Sequence, residues 1–144
     1  MAEQKHLCYN CFQERETKEG PCPYCGFDLA ENERKFPVAL RAGTVLNDRY
    51  IVGRVLGQGG FGITYLAKDL FLNRNVVIKE NFPSSCSYRD PLTGHIRPNN
   101  EHDLENYTWA LKSFLSEAQT LAELNHPGIV RILSVFEANG TAYF

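Results

Sequence analysis

No run in this 144-residue sequence is long and apolar enough to span a bilayer, and Met1 to Cys8 carry no hydrophobic segment of the kind that directs secretion. The chain is therefore expected to be cytoplasmic and to have no membrane segment. Lys and Arg number 15 against 17 Asp and Glu, and the formal charge of −2 offers no basic field to attract nucleic acid. Internal repeats and low-complexity tracts are missing too, which excludes a solenoid architecture. Cysteine is scarce, five in all, with four in two close pairs and Cys86 left over. What is present, 43% hydrophobic and 22% charged residues, is the balance of a globular chain. The length suits one ordinary domain, or a small metal module beside one modest core.

The texture changes along the chain. Cys, Gly and Pro punctuate residues 7 to 29, and a charged stretch follows from Glu31 to Lys35 before Pro37. This reads as a compact module over residues 1–30 and a linker over 31–43. From Tyr50 the sequence turns β-rich. Strands are expected at Tyr50 to Leu56, Ile63 to Ala67 and Val76 to Lys79, with glycines at 57 to 62 between the first two. Phe82 to Asp103 holds three prolines and several Ser and Asn residues, and is expected to be a long loop or insertion. Tyr88-Arg89-Asp90 is taken as part of a turn with Pro91 and Gly94. Between Leu104 and Asn125 the residues Leu104, Tyr107, Leu111, Phe114, Ala118, Leu121 and Leu124 recur at helical spacing, stopped by His126-Pro127-Gly128. Ile129 to Phe136 and Thr141 to Phe144 are strand-like, joined through the turn signal Ala138-Asn139-Gly140. The expected class is α+β: a five-stranded antiparallel sheet with one main helix over residues 44–144, preceded by the cysteine module.

Cys8-Tyr9-Asn10-Cys11 and Cys22-Pro23-Tyr24-Cys25-Gly26 are two C-x-x-C knuckles separated by ten residues. Two intervening residues let a tight turn aim both thiolates at one ion, and Gly26 relieves crowding where amides turn toward sulfur. Four thiolates suit a structural, tetrahedral Zn2+, and a segment this short has too little apolar surface to fold without a metal. Iron is chemically open to the same ligands. Disulfides or a redox pair are disfavoured by the lack of a secretory signal and of a surrounding βαβ pattern.

Gly57-Gln58-Gly59-Gly60-Phe61-Gly62 contains G-x-G-x-x-G, a weak signal alone. A helix would follow it in a dinucleotide-binding unit, but Ile63-Thr64-Tyr65-Leu66-Ala67 is β-branched and aromatic, so the loop bridges two strands. Lys79 ends an otherwise apolar strand, and a lysine there needs an anion. At about 100° per residue, Glu117 falls within the stripe of Phe114, Leu121 and Leu124, whereas Glu105 and Glu123 fall opposite. A carboxylate on an apolar stripe needs a partner, and Lys79 and Glu117 supply each other.

With these residues in order, the chain resembles a eukaryotic-type protein Ser/Thr kinase of the sort found in bacteria. The resemblance runs from residue 44 to 144 through Leu56-Gly57 to Lys68-Asp69, the Val76 to Lys79 strand, Phe114-x-x-Glu117-Ala118-x-x-Leu121 and His126-Pro127-Gly128-Ile129-Val130. It implies a kinase N-lobe that binds ATP, with Mg2+ in the complete domain. Gly57, Gln58, Gly59, Gly60, Phe61 and Gly62 would cover the phosphates, Lys79 would grip them and Glu117 would orient Lys79. Leu56 and Val77 would wall the adenine. Thr64 and Val77 depart from the family's usual Val and Ala, and imply a slightly narrower, more polar pocket. No His-Arg-Asp loop and no Asp-Phe-Gly motif follow, so the chain reads as a truncated domain with no phosphotransfer of its own. Its partners would be ATP and either a protein substrate or the missing second lobe. The competing expectation is a non-enzymatic zinc-ribbon interaction module with a degenerate kinase-like lobe, in which Lys79 and Glu117 form only a structural ion pair.

Overall fold

The computed structural model describes residues 6–17, 19–128 and 131–144. Strands β1 (His6–Leu7) and β2 (Glu14–Arg15) pair antiparallel beside the first cysteines. The main antiparallel sheet has the order β3-β4-β5-β6-β10-β9, built from β3 (Val45–Leu46), β4 (Tyr50–Gln58), β5 (Gly62–Asp69), β6 (Arg74–Asn81), β9 (Phe136–Ala138) and β10 (Thr141–Tyr143). A second hairpin, β7 (Ser87–Arg89) with β8 (Ile96–Pro98), and two helices, α1 (Leu29–Lys35) and α2 (Glu101–Glu123), complete the described elements. The class is α+β, with the short β3 adding a sixth strand to the five expected. No helix among the described residues is long and apolar enough to cross a membrane.

One strand begins later than its composition suggests. Residues 131–135 are irregular, and β9 starts only at Phe136, while Ile129 and Val130 lie outside the described residues. A strand needs a partner as well as a propensity. β10 offers three residues, pairing Thr141 with Ala138, Ala142 with Glu137 and Tyr143 with Phe136, so nothing in β10 remains for residues 131–135 to pair with.

The chain divides into two compact units. The first comprises residues up to Leu56 together with Tyr65–Val77. Its core collects Leu40, Leu46, Tyr50, Val52, Val55, Tyr65 and Ala67, and the Tyr65 hydroxyl accepts the Leu40 amide at 2.9 Å. The charged stretch read as linker carries α1. Asp28 caps that helix through the Ala30 amide, Glu31 lies in its first turn and Arg34 and Lys35 in its last, complementing its dipole. Asn32, buried, accepts the Val55 amide at 3.0 Å and so ties α1 to β4.

At the far end of this unit Arg49 donates to Asp69 through Nε at 2.9 Å and Nη2 at 2.7 Å, and Asp69 also accepts the amides of Phe71 and Leu72 in the β5–β6 turn. The Arg49 bonds above all hold the Asp69 carboxyl down at about 2. An unfolded Asp titrates near 3.9, about two units higher, so the unfolded chain binds more protons in this window. Stability from the pair is then fully present above about pH 4 and is lost as pH falls through about 2. Thermal melts should show Arg49→Met well below the parent at pH 6, with the gap closing toward pH 2. A gap that ignores pH would show that the pair contributes no charge term.

The second unit comprises Gly57–Thr64 and Ile78–Phe144. Asn100 caps α2 by accepting the Asp103 amide at 2.9 Å, with Glu101 and Asp103 in the first turn. The helix buries Tyr107, Phe114 and Ala118 and contacts β8 and β10, while Leu104 and Leu124, at its two ends, stay exposed. The expected stripe is therefore buried only along the middle of the helix. The segment between β6 and α2 is folded: residues 87–98 form the β7–β8 hairpin, closed by Asp90, whose amide donates to His95 O and whose carbonyl accepts from Gly94.

Candidate functional site

In the first unit the four paired cysteines converge. Their sulfurs all lie within 4.8 Å of one another, with Cys8 Sγ 3.7 Å from Cys25 Sγ and Cys11 Sγ 3.8 Å from Cys22 Sγ. Sulfurs placed tetrahedrally at about 2.3 Å from a zinc ion stand about 3.8 Å apart, so the cluster fits such a metal with no ligand position left open. All five cysteines are free thiols, as metal ligation requires and disulfides would not allow. The two knuckles have the same hydrogen-bond plan. Phe12 N donates to Cys8 O and Gly26 N to Cys22 O, each at 2.8 Å, and both closing residues have left-handed backbones, φ 57° and 79°. Gly26 takes that conformation without strain, whereas Phe12 is held in it by packing, its side chain buried.

The sulfurs are electrostatically unequal. Asn10 Nδ2 donates to Cys25 Sγ at 3.4 Å and is the main reason the Cys25 thiol falls to about 6, while burial pushes Cys11 up to about 12. Asn10 also accepts Arg54 Nε at 2.6 Å, and Tyr9 O accepts the Arg54 amide at 2.9 Å. The module is thus fastened to β4 through one arginine, and one asparagine connects that arginine to a sulfur of the cluster. Nothing in the C-x-x-C spacing marks Arg54 or Asn10 for this role.

In the second unit Lys79 Nζ meets Glu117 Oε1 at 3.0 Å, as the helical stripe predicted. The lysine backbone is fixed on both sides by the chain's last residue, Lys79 N to Phe144 O at 2.7 Å and Phe144 N to Lys79 O at 3.0 Å. Phe144 in turn packs against Phe114 of α2 with ring centroids 4.6 Å apart, and the ammonium lies 5.5 Å and 6.0 Å from the Phe144 and Phe114 ring centres. The lysine and glutamate side chains remain 36% and 48% exposed, open to a ligand.

The glycine turn belongs to the same unit. Gly59 N donates to Gly62 O at 3.0 Å, closing the turn between β4 and β5. The segment after β6 holds its tip: Phe82 N donates to Phe61 O and Ser84 N to Gly60 O, both at 3.0 Å. Gly62 has no alternative, since a Cβ there would run into the Glu80 carbonyl. Gln58, Gly59 and Gly60 are exposed, as is the Phe61 ring, and Thr64 is half-buried in β5. Leu56 and Val77 lie in the first unit, on β4 and β6, with their side chains 40% and 56% exposed.

Beside Lys79 lies a buried polar group that pattern reading missed. Glu80 is fully buried and bonds Arg89 Nη2 at 2.5 Å and the Tyr143 hydroxyl at 2.6 Å. Burial, then the adjacent Glu80 charge, push the Tyr143 phenol well above its ordinary range. Arg89, read as part of a turn, is in β7, and its Nη1 donates to Gly94 O at 2.9 Å.

Comparison with known proteins shows that the chain is homologous to bacterial Ser/Thr protein kinases over part of their length. The serine/threonine-protein kinase PknG of Mycolicibacterium smegmatis is 32% identical over 146 aligned residues, covering 95% of this chain and 16% of that protein. PknG of Mycobacterium leprae gives 32% over 156 residues, 99% of this chain and 17% of that one. PknB of Mycobacterium tuberculosis gives 36% over 97 residues, 67% of this chain and 12% of the relative. The solved structure "PpkA-294 apo form" superposes with a TM-score of 0.70 at 37% identity, covering 73% of this chain and 37% of that one. The chain therefore spans about a sixth of the PknG proteins it matches. No family model matches it.

Proposed function

We propose that this chain binds ATP as the phosphate-gripping part of a protein Ser/Thr kinase domain, and that its cysteine module is a structural zinc ribbon. The observation that carries the first half is the Lys79–Glu117 contact of 3.0 Å in the unit that also holds the glycine turn. Both side chains are more than a third exposed, and such a pair contributes only about 0–1 kcal/mol to stability. An arrangement that stabilises so little is better explained by what the oriented ammonium can bind, a polyphosphate. The glycine backbone, in the same unit as Lys79, gives phosphate oxygens close approach.

No residue of the 144 matches the family's catalytic base or Mg2+ ligands. Mg2+ would arrive on the nucleotide, and phosphoryl transfer to protein Ser or Thr belongs to the complete domain. The similarity to kinases named for Ser/Thr activity supports that reading. Four free thiol ligands suit a reducing, cytoplasmic setting.

The test is a calorimetric titration of the metal-loaded chain with Mg·ATP. Saturable binding that competes with ADP supports the proposal. A folded chain that takes up no ATP at millimolar concentration overturns it, and leaves the cysteine module as the functional part.

A further inference from the structure

The Lys79–Glu117 pair is too weak and too exposed to bring its own elements together. Something else must fix α2 on the sheet. Two residues, Asn99 and Asn100, separate β8 from the first residue of α2, so the β7–β8 hairpin sets where the helix starts. The hairpin is itself anchored three ways. Arg89 bonds the buried Glu80 carboxylate on β6, Ile96 N donates to Asn139 O at 2.8 Å, and Ser87 Oγ donates to Pro83 O at 2.6 Å. The turn that Ile96 grips is also gripped by α2, through the Tyr107 hydroxyl on Gly140 O.

The charged anchor adjoins the site in sequence. Along β6 successive side chains alternate faces, so Lys79 meets Glu117 and Glu80 turns the other way to Arg89. The end of β10 and the residue after it repeat the alternation, with Tyr143 on Glu80 and Phe144 against Phe114 of α2. A buried ion pair is seldom a better source of stability than apolar packing, but it fixes one register, because any slip strands a charge. Sixteen steps along the helix from Glu101 to Glu117 make a lever of roughly 24 Å, at about 1.5 Å per residue, so a small shift at its base displaces Glu117.

We infer that the β7–β8 hairpin is a built-in brace for α2, and that Arg89 is a positioning residue which, by locking the hairpin to Glu80, keeps Glu117 on Lys79. The effect on nucleotide affinity rests on the ATP-binding reading above, whereas the mechanical effect on α2 does not.

The experiment has two arms on the metal-loaded 144-residue chain. Amide hydrogen exchange compares the parent with Arg89→Met. Faster exchange across 101–123, on the order of tenfold, with unchanged protection in Tyr50–Val55, is expected, and unaltered exchange in α2 overturns the brace. The second arm is a double-mutant cycle on ATP affinity. Arg89→Met alone should weaken binding on the order of tenfold, and should add nothing in a Glu117→Ala background, because that variant has no positioning of Lys79 left to lose. Additive losses would mean that Arg89 does not act through Glu117, and would overturn its role. Arg89→Lys, which keeps the cation on Glu80, should recover most of the affinity, which a merely space-filling role would not predict. If Arg89→Met fails to melt cooperatively, Glu80→Gln takes its place, since it removes the buried charge yet can still bond Tyr143, and the same outcomes apply. If the parent binds no ATP, the nucleotide reading falls and the exchange arm alone decides the brace.

Discussion

Lys79→Met should leave the fold nearly untouched and sharply weaken ATP binding. The methionine keeps the apolar stem between Phe114 and Phe144, and the backbone bonds to Phe144 do not depend on the side chain. The lost ion pair is half-exposed and costs about 0–1 kcal/mol, so the melting temperature should move by only a few degrees. Affinity behaves differently. A charge-assisted hydrogen bond from an ammonium to a phosphate oxygen contributes about 1.5–3 kcal/mol, so losing one weakens ATP by roughly tenfold to 150-fold. Glu117→Gln keeps a hydrogen bond to the lysine and should cost less, on the order of threefold to tenfold. Calorimetry on the parent and both variants checks the order. Equal affinity for parent and Lys79→Met would show that the lysine does not touch phosphate, whatever else binds the nucleotide.

The cysteine module should bind one metal ion per chain, and Cys22→Ser should abolish that binding and unfold residues 6–27. Serine matches cysteine in size, but its hydroxyl does not ionise to serve as a soft ligand. Apparent binding free energies of about 10–16 kcal/mol for structural zinc exceed anything this module's own small core can supply. The loss should also travel to a defined place. Arg54 is bonded through its amide to Tyr9 O and through Nε to Asn10, so the Arg54 amide should lose exchange protection on chelation while α2 keeps its own. Elemental analysis of the purified chain separates zinc from iron, and the iron form is coloured. A chelated protein whose residues 6–27 remain protected would show that the knuckles fold without the metal.

Much of the site could be read from the sequence because its signals are local and periodic. Cysteine spacing marks the four-thiol cluster, the residues after the glycines show a strand rather than a helix, and a 3.6-residue stripe puts Glu117 where Lys79 meets it. One missed element was also legible. Asp28 three residues before Glu31 is a helix-start signature, although the charge of the stretch it opens resembles that of a linker. The β7–β8 hairpin was not legible, because three-residue strands are too short to show a period and their prolines and asparagines read as loop.

By itself the sequence determined the α+β class, the cysteine knuckles, the glycine turn and the lysine–glutamate pair, since each depends on neighbours a few residues apart or on repeating side-chain faces. Only the tertiary structure decided that Arg54 joins the cysteine module to β4, that Asn10 links that arginine to Cys25, and that Glu80, Arg89 and Tyr143 form one buried group. The reason is physical. A buried charge announces that it needs a partner but not which one, and the partner is fixed by packing and register between segments 9 to 63 residues apart, which no local pattern encodes.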